Sequence, residues 1–211
     1  MSKEKNVLVA GANGTTGRII IDLLKKSDSY TPIAMVRNQD QKDYFEKQNI
    51  ATVVADLEND LSHTVKNVKK VIFAAGSKGK NVIGVDQEGA KRLTDAAKEA
   101  GVEKFVMLSS MGTENPSESG DLENFMIAKK NADDYLCASG LDYTIVRPGS
   151  LTNTQATGKI ELKEKLETKG SISRADVAET LVEVLEDDVK KNQVFEILAG
   201  GVPIEKAVCS S

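Results

Sequence analysis

Three glycines, each separated from the next by two residues, form the part of the sequence with the clearest chemistry. They lie in Gly11-Ala12-Asn13-Gly14-Thr15-Thr16-Gly17, after the apolar run of residues 6–10 and before a helical pattern over residues 18–26. The first glycine permits a tight turn, the second lets the backbone approach a pyrophosphate, and the third allows close helix–strand packing. Backbone N–H groups and the positive end of the helix then face the phosphates, and a P-loop is excluded because no Gly-Lys-Ser/Thr follows. The loop therefore predicts dinucleotide binding, with contacts from Gly11, Asn13, Gly14, Thr15, Thr16, Gly17 and Arg18.

The residue expected to meet the adenosine ribose follows the second apolar run. NAD sites usually place an acidic residue about 20 residues beyond the loop, where it binds the ribose 2′-hydroxyl. Here Arg37 stands about 20 residues beyond Gly17, and its planar guanidinium suits a 2′-phosphate that a carboxylate would repel. Arg18 offers a second positive charge, although a solvated arginine at a strand end is the alternative for Arg37. The sequence therefore favours NADP(H) over NAD(H).

These residues need a scaffold that brings them together, and the pattern of the chain predicts one. Short β-branched runs alternate with longer helical patterns, and the runs are continuously apolar, as in a parallel sheet covered on both faces. We expect an α/β fold, a doubly wound, mostly parallel Rossmann-type sheet of about seven strands in one domain over residues 1–211. Residues 1–150 form the cofactor-binding core, and residues 151–211 form a small C-terminal cap with the last strand. Predicted helices include residues 61–67, 82–100, 122–138 and 174–186, the last with Ser173 as its N-cap.

Composition restricts the classes of function. The 211 residues carry 28 Lys and Arg against 32 Asp and Glu, and aromatic residues make up only 4%, so nucleic-acid binding is not expected. One histidine, and two cysteines without CxxC spacing, predict no metal site. Since no apolar run reaches the length of a membrane span, we expect a cytoplasmic protein without a membrane partner. A monomer and a small homo-oligomer both remain open.

Further motifs follow the glycine loop along the chain. They are Ala55-Asp56-Leu57, Ala74-Ala75-Gly76-Ser77, Leu108-Ser109-Ser110-Met111-Gly112, Tyr143-Thr144-Ile145-Val146-Arg147-Pro148-Gly149 and Ser173-Arg174-Ala175-Asp176-Val177-Ala178. In this order, and together with the loop, they resemble the atypical short-chain dehydrogenases/reductases. The resemblance is to the small bacterial NAD(P)-binding proteins related to NmrA-like and biliverdin reductase B-like (flavin reductase) proteins. It covers nearly the whole chain and implies an NADP(H)-dependent oxidoreductase.

The resemblance also implies a position along the cofactor for each motif. The segment after the third strand borders the adenine, and the small residues after the fourth leave clearance beside the ribose and pyrophosphate. The ends of the fifth and sixth strands lie beneath and along the nicotinamide. Asp56 accepts from the adenine amine, although it could instead cap the segment that follows it. In chain order, the implied cofactor contacts are Asp56, Leu57, Ala74, Ala75, Gly76, Ser109, Lys129, Pro148, Gly149 and Ser150.

One position departs from the wider superfamily, whose members carry Tyr-x-x-x-Lys on the helix after the fifth strand. Lys129 is in place, but Phe125 stands at the tyrosine position, and phenylalanine cannot transfer a proton. The candidate catalytic residues are Ser109, Ser110 and Lys129, with a solvated helix lysine as the alternative for Lys129. Either the protein reduces a flavin, quinone or similar small acceptor, or it is a non-catalytic NADP(H)-binding redox sensor or regulator. Sugar-nucleotide epimerase or dehydratase chemistry is a weaker third interpretation.

Two segments are expected to shape the substrate pocket, although the sequence does not identify the substrate. The turn over residues 171–176 should pack against the loop after Arg147. The acidic stretch over residues 114–121 is a candidate lid, because it directly follows the strand on the nicotinamide side.

Overall fold

The computed structural model describes residues 5–77 and 79–210, so the remaining termini of the predicted domain and residue 78 lie outside the described residues. Within those ranges the strands are β1 (Lys5–Ala10), β2 (Tyr30–Val36), β3 (Ala51–Val54), β4 (Lys70–Phe73), β5 (Lys104–Leu108), β6 (Tyr143–Pro148), β7 (Ser150–Thr152), β8 (Lys159–Lys163), β9 (Ser171–Ser173), β10 (Gln193–Ala199) and β11 (Val202–Pro203). The α-helices are α1 (Thr15–Lys26), α2 (Gln39–Glu46), α3 (Glu88–Glu99), α4 (Glu123–Ala138), α5 (Arg174–Glu183) and α6 (Ile204–Cys209).

Nine of the strands form one sheet in the order β11-β8-β10-β6-β5-β4-β1-β2-β3. Seven of them pair in parallel, and β8 and β11 extend the sheet in antiparallel pairing. This confirms the predicted doubly wound α/β fold. The expected number of about seven strands matches only the parallel part, because the short strands of the C-terminal segment carry little periodic signal. Since β1 lies between β2 and β4, the winding reverses at the carboxyl end of β1, where sheets of this type bind ligands.

Alternate residues of each central strand enter two different cores. Val7 and Val9 pack on the face covered by α1, α5 and α6, whereas Leu8 and Ala10 pack on the face covered by α3 and α4. All four side chains are fully buried. Burial on both faces is the physical reason that the strands appear in the sequence as continuous apolar runs.

Two predicted helices have different forms in the structure. The segment predicted as a helix over residues 61–67 is a 3₁₀ turn at Ser62–Val65. The helix predicted over residues 82–100 divides into a π-helical turn, Val82–Gln87, followed by α3. The π-helical segment is only a single wide turn, so a sequence pattern with a period of 3.6 residues cannot indicate it. The predicted N-cap of α5 is present, because the Ser173 hydroxyl accepts from the Asp176 N–H at 2.9 Å.

The C-terminal segment is joined closely to the main sheet. Three of its strands belong to the sheet itself, and β7 and β9 form a separate parallel pair in which Ser150 lies opposite Ser171. Residues 171–173 therefore pack against the segment after Arg147, as predicted. No helix in residues 5–77 and 79–210 has both the length and the apolar character needed to cross a membrane.

Candidate functional site

Two glycines of the loop between β1 and α1 have no room for a side chain. Gly11 has a φ of +84°, and a Cβ atom there would lie 2.6 Å from the backbone nitrogen of Ala75. A Cβ atom on Gly17 would lie 2.1 Å from the Gly11 carbonyl oxygen. Gly14 begins α1 without a side-chain cap, and the first turn carries no acidic residue. The free N–H groups and positive dipole of this turn therefore fit a pyrophosphate held close to the backbone.

Two arginines lie at the adjoining carboxyl ends of β1 and β2. The Arg18 guanidinium donates to Asn13 Oδ1 at 2.7 Å and stacks 4.4 Å above the centre of the Tyr44 ring. The Arg37 backbone N–H donates to Gln41 Oε1 at 2.9 Å. Its exposed guanidinium forms no ion pair with any residue that the structure describes. Arg37 therefore presents a free cation at the position expected for a 2′-phosphate, whereas Arg18 is already oriented by its neighbours.

The segment after β3 is folded as a tight cap. Asp56 Oδ1 accepts from the Glu58 N–H at 3.0 Å, which is the alternative considered for this carboxylate from the sequence. Leu57 is buried directly beneath Gly89 of α3, where a Cβ atom would lie 2.8 Å from the Leu57 Cβ. A contact of Asp56 with adenine stays a prediction.

The exit of β4 rests on a buried carboxylate that the sequence analysis did not single out. Asp86, on the π-helical turn, is 0% exposed, and its Oδ2 accepts from the Ser77 N–H at 2.9 Å. Its Oδ1 lies 3.7 Å from the Lys129 ammonium and has no hydrogen-bond partner among the described residues. Because a Cβ atom on Gly76 would lie 3.2 Å from this oxygen, Asp86 sits directly under the strand exit.

Lys129 is buried on the inner face of α4 and is not a solvated lysine. It is 5% exposed, and its ammonium lies 3.4 Å from the Leu108 carbonyl oxygen and 5.7 Å from the centre of the Phe125 ring. Burial lowers the pKa of Lys129, and the charges of Asp86 and Asp133 oppose that shift. The charge on this amine, at the carboxyl end of β5, therefore depends on its carboxylate neighbours.

The two candidate serines have different surroundings. Ser109 is buried, and its hydroxyl donates to Asp133 Oδ2 at 2.8 Å. The same oxygen accepts from Arg147 Nε at 3.0 Å. Burial raises the pKa of Asp133, against the opposing effects of the Arg147 charge and these hydrogen bonds. Ser110 is half-buried and donates only to its neighbour's carbonyl, that of Met111, at 3.1 Å, so its hydroxyl is the more accessible of the two.

A chain of charges links this network to the candidate lid and the C-terminal segment. Arg147 Nη1 donates to Glu114 Oε1 at 3.3 Å, and Glu114 Oε2 lies 3.1 Å from the Lys165 ammonium. The candidate lid over residues 114–121 overlaps a short 3₁₀ segment, Pro116–Leu122, that leads into α4; its movement stays a prediction. Behind it, the Ser150 N–H donates to the Gly170 carbonyl. Both segments expected to shape the substrate pocket therefore meet near the end of β6.

The structure brings most predicted residues to the carboxyl end of the sheet but separates them into two groups. The glycine loop and the arginines lie at β1 and β2, whereas the serines and Lys129 lie at β5 and α4, which matches the extended shape of a dinucleotide. Asp86, Asp133 and Arg147 are the buried charged residues that sequence reasoning missed. One signal was available, because the buried face of α4 carries Lys129 and Asp133 among its apolar residues.

Other classes of site have little support in the structure. No group of three or more His, Cys, Asp or Glu residues in the described chain could hold a metal ion. A surface cavity of about 370 Å³ lies between residues 58–62 and α3. None of the predicted cofactor residues lines this cavity, so its size does not indicate the cofactor site.

Comparison with known proteins identifies the family of the chain. Residues 11–188 match a family described as NAD(P)H-binding. YhfK of Bacillus subtilis, named an uncharacterized sugar epimerase, is 35% identical over 96% of this chain and 98% of its own. A Bacillus halodurans structure, provisionally named an NAD-dependent epimerase/dehydratase, is 38% identical with a TM-score of 0.90, covering 97% of this chain and 98% of its own. The structure of the oxidoreductase ylbE from Lactococcus lactis is 29% identical with a TM-score of 0.86, covering 96% of this chain and 94% of its own.

Proposed function

The chain belongs to the NAD(P)H-binding family and is a Rossmann-type protein of the atypical short-chain dehydrogenase/reductase kind; from that premise we propose that it is an NADP(H)-dependent reductase of a small acceptor. The acceptor we propose is a flavin, a quinone or a similar conjugated molecule. Such acceptors take a hydride at one atom and a proton at another that water can reach, so they do not need a tyrosine acid.

The observation that carries the choice of cofactor is the free guanidinium of Arg37. A planar cation with no ion pair in the described chain is available to a 2′-phosphate, which it can bind with two parallel hydrogen bonds. Arg18, fixed by Asn13 and stacked on Tyr44, adds a second charge on the same side. No acidic residue replaces Arg37 at the end of β2, and a hydroxyl-binding carboxylate is what an NAD site usually has there.

Different residues of the chain bind the dinucleotide and orient its nicotinamide. The glycine loop and the first turn of α1 bind the pyrophosphate through backbone N–H groups. Lys129 binds the hydroxyls of the nicotinamide ribose, and Pro148, Gly149 and Ser150 border the ring and its carboxamide. The chemistry that the nicotinamide supplies when bound is transfer of a hydride from its C4 carbon. Asp56 borders the adenine at the far end.

The site has no tyrosine that could donate the proton that the acceptor takes up. Phe125 holds the tyrosine position next to Lys129, and the Ser109 hydroxyl already donates to a buried carboxylate. We therefore assign the accessible Ser110 hydroxyl to orient the acceptor, with water as the source of the proton. A sugar or alcohol substrate needs a proton transferred at the reacting oxygen itself, so it is a poorer match to this site. This disfavours epimerase chemistry, which the names of two relatives suggest for those proteins.

The test of the proposal is steady-state oxidation of NADPH and NADH with a panel of flavins, quinones and sugar nucleotides, alongside direct measurement of cofactor affinity. We expect turnover with a flavin or quinone. Arg37→Ala should weaken NADPH binding by about 2 kcal/mol, the size of a charge-assisted hydrogen bond, and leave NADH binding nearly unchanged. Gln41→Ala, which removes only a neighbour of the Arg37 backbone, is the matched control.

Three results would decide against parts of the proposal. An equal loss of affinity for NADPH and NADH in Arg37→Ala would contradict the proposed contact with the 2′-phosphate. Micromolar NADPH binding without turnover on any acceptor would favour the non-catalytic sensor or regulator. Absence of binding to either cofactor would refute the proposal as a whole. The cytoplasmic location and the monomeric or small homo-oligomeric state stay predictions.

A further inference from the structure

The π-helical turn before α3 carries a buried charged residue. Asp86 lies in the turn Val82–Gln87, and no part of it is exposed to solvent. Isolated π-helical turns are rare and are often found at functional sites. One oxygen of Asp86 is used to fix the Ser77 N–H at 2.9 Å. The other faces Lys129 at 3.7 Å without any hydrogen bond to a described residue.

We propose that Asp86 is a positioning residue that keeps the Lys129 ammonium charged and directed at the bound dinucleotide. The proposal rests on the function proposed above, in which Lys129 binds the nicotinamide ribose. Asp86 itself does not touch the cofactor. It acts through Lys129 on one side and through the backbone at the exit of β4 on the other.

The other groups around Lys129 cannot supply this counter-charge as well. On α4, Asp133 lies one turn beyond Lys129, but its Oδ2 already accepts from Arg147 and from Ser109. From β5 the ammonium meets only the neutral carbonyl of Leu108, and from its own helix the ring of Phe125. Asp86 is therefore the one carboxylate near Lys129, within the described chain, that is not bonded to another cation.

The physical consequence concerns the protonation of Lys129. Burial lowers the pKa of this lysine, and the Asp86 charge is the first of the effects that oppose the shift. Asp86→Asn keeps the size of the side chain and an oxygen that can accept from Ser77, but it removes the charge. The pKa of Lys129 then falls further, so the amine loses its proton at a lower pH than in the wild type. A neutral amine binds ribose hydroxyls and the nearby phosphate charge more weakly.

The experiment measures NADPH affinity from pH 6 to pH 9 in the wild type, Asp86→Asn, Lys129→Met and the double variant. We expect the profile of Lys129→Met to lack the step that titration of Lys129 produces, and to serve as the reference for the other variants. Relative to Lys129→Met, the affinity of Asp86→Asn should begin to fall at a lower pH than that of the wild type, by up to about tenfold per pH unit above the new Lys129 pKa. The double variant should match Lys129→Met. Asp95→Asn, on the exposed face of α3, is the control and should leave the profile unchanged.

A second readout separates this inference from the proposed function. NMR titration of the Lys129 side chain in the cofactor-free protein should show a pKa at least about one unit lower in Asp86→Asn than in the wild type. An unchanged Lys129 pKa, or a double variant that binds NADPH clearly more weakly than Lys129→Met, overturns the role of Asp86. If the wild type binds no dinucleotide, the proposed function fails instead, and with it the ligand that Asp86 is said to serve.

Discussion

Removal of the Arg147 guanidinium is the perturbation that most directly tests the buried network at the end of β6. Arg147 is 7% exposed, and its Nε donates to Asp133, which is 1% exposed. In Arg147→Met the apolar volume of the stem is largely kept, but Asp133 loses its cation. The remaining donor to its Oδ2 is the Ser109 hydroxyl. The carboxylate must then stay charged without a partner or take up a proton.

The magnitude follows from the burial of the pair. Removing one partner of a buried ion pair costs about 3–5 kcal/mol, and we expect a cost near the lower limit, about 3 kcal/mol at pH 7, because the carboxyl can protonate. For a chain of this length that corresponds to a fall in Tm of about 6–12 °C. The Arg147 charge lowers the pKa of Asp133 against the effect of burial, so its loss raises that pKa further. A carboxyl with a raised folded pKa loses stability as pH rises from its unfolded value, at about 1.4 kcal/mol per pH unit.

The assay is urea unfolding of wild type and Arg147→Met at several pH values between 5 and 8. We expect the cost of the substitution to shrink as the pH falls towards 5, because the Asp133 carboxyl of the variant takes up a proton more readily than that of the wild type. Arg174→Met is the matched control, since Arg174 donates to the Leu151 carbonyl and to an amide, not to a carboxylate. Adding Asp133→Asn to Arg147→Met should abolish the pH dependence. A cost for Arg147→Met that stays constant from pH 5 to 8 would refute the reasoning.

Two further predictions concern opposite ends of the sheet. At the amino end, the ammonium groups of Lys5 and Lys70 lower the pKa of Asp187 to about 2. The stability that Asp187 contributes is therefore present above its unfolded pKa, and it is lost as the pH falls from about 4 through about 2. Because Asp187 is largely exposed, Asp187→Asn should cost only about 0.5–1 kcal/mol at pH 6 and less at pH 2, measured by thermal unfolding. At the carboxyl end, Phe125→Tyr brings a phenol next to Lys129 and should raise NADPH-dependent reduction of carbonyl acceptors by about a hundredfold in a steady-state assay; an unchanged rate would mean that the missing acid is not what limits such substrates.

The cofactor half of the site could be predicted from sequence because its requirements are local. The φ of +84° at Gly11 demands glycine, and so does Gly17, where a Cβ atom would lie 2.1 Å from the Gly11 carbonyl oxygen. The distance of Arg37 along the chain from the loop predicts its role, and its contact with a 2′-phosphate stays a prediction. These features depend on neighbours within one βα unit, so the spacing of residue types carries the information.

The other half depends on contacts between distant segments, and residue spacing does not encode them. Asp86 looked like one charged residue on a helix, because a 3.6-residue pattern does not show that a π-helical turn directs it inward. Asp133 and Arg147 are 14 positions apart and meet only when α4 lies across β6. The same limit affected Lys129, whose solvated alternative disappears once α4 is packed on the sheet.

The way buried charges are satisfied differs between the two ends of the sheet, and the difference bears on function. At the amino end, Lys104 is 1% exposed and donates to the carbonyls of Glu186 and Val189 at 2.6 and 2.7 Å, as expected of a group that only fixes a loop. At the carboxyl end, Asp86 and Asp133 are as deeply buried, yet each keeps one oxygen without a hydrogen bond to any described residue. Leaving a buried acceptor unfilled costs about 1–3 kcal/mol. Stability alone gives no reason to place two such acceptors around one ammonium, whereas a site that must exchange hydrogen bonds when a dinucleotide binds needs that freedom. The same contrast predicts that dinucleotide binding protects amides at the carboxyl end from hydrogen exchange and leaves the loop around Lys104 unchanged.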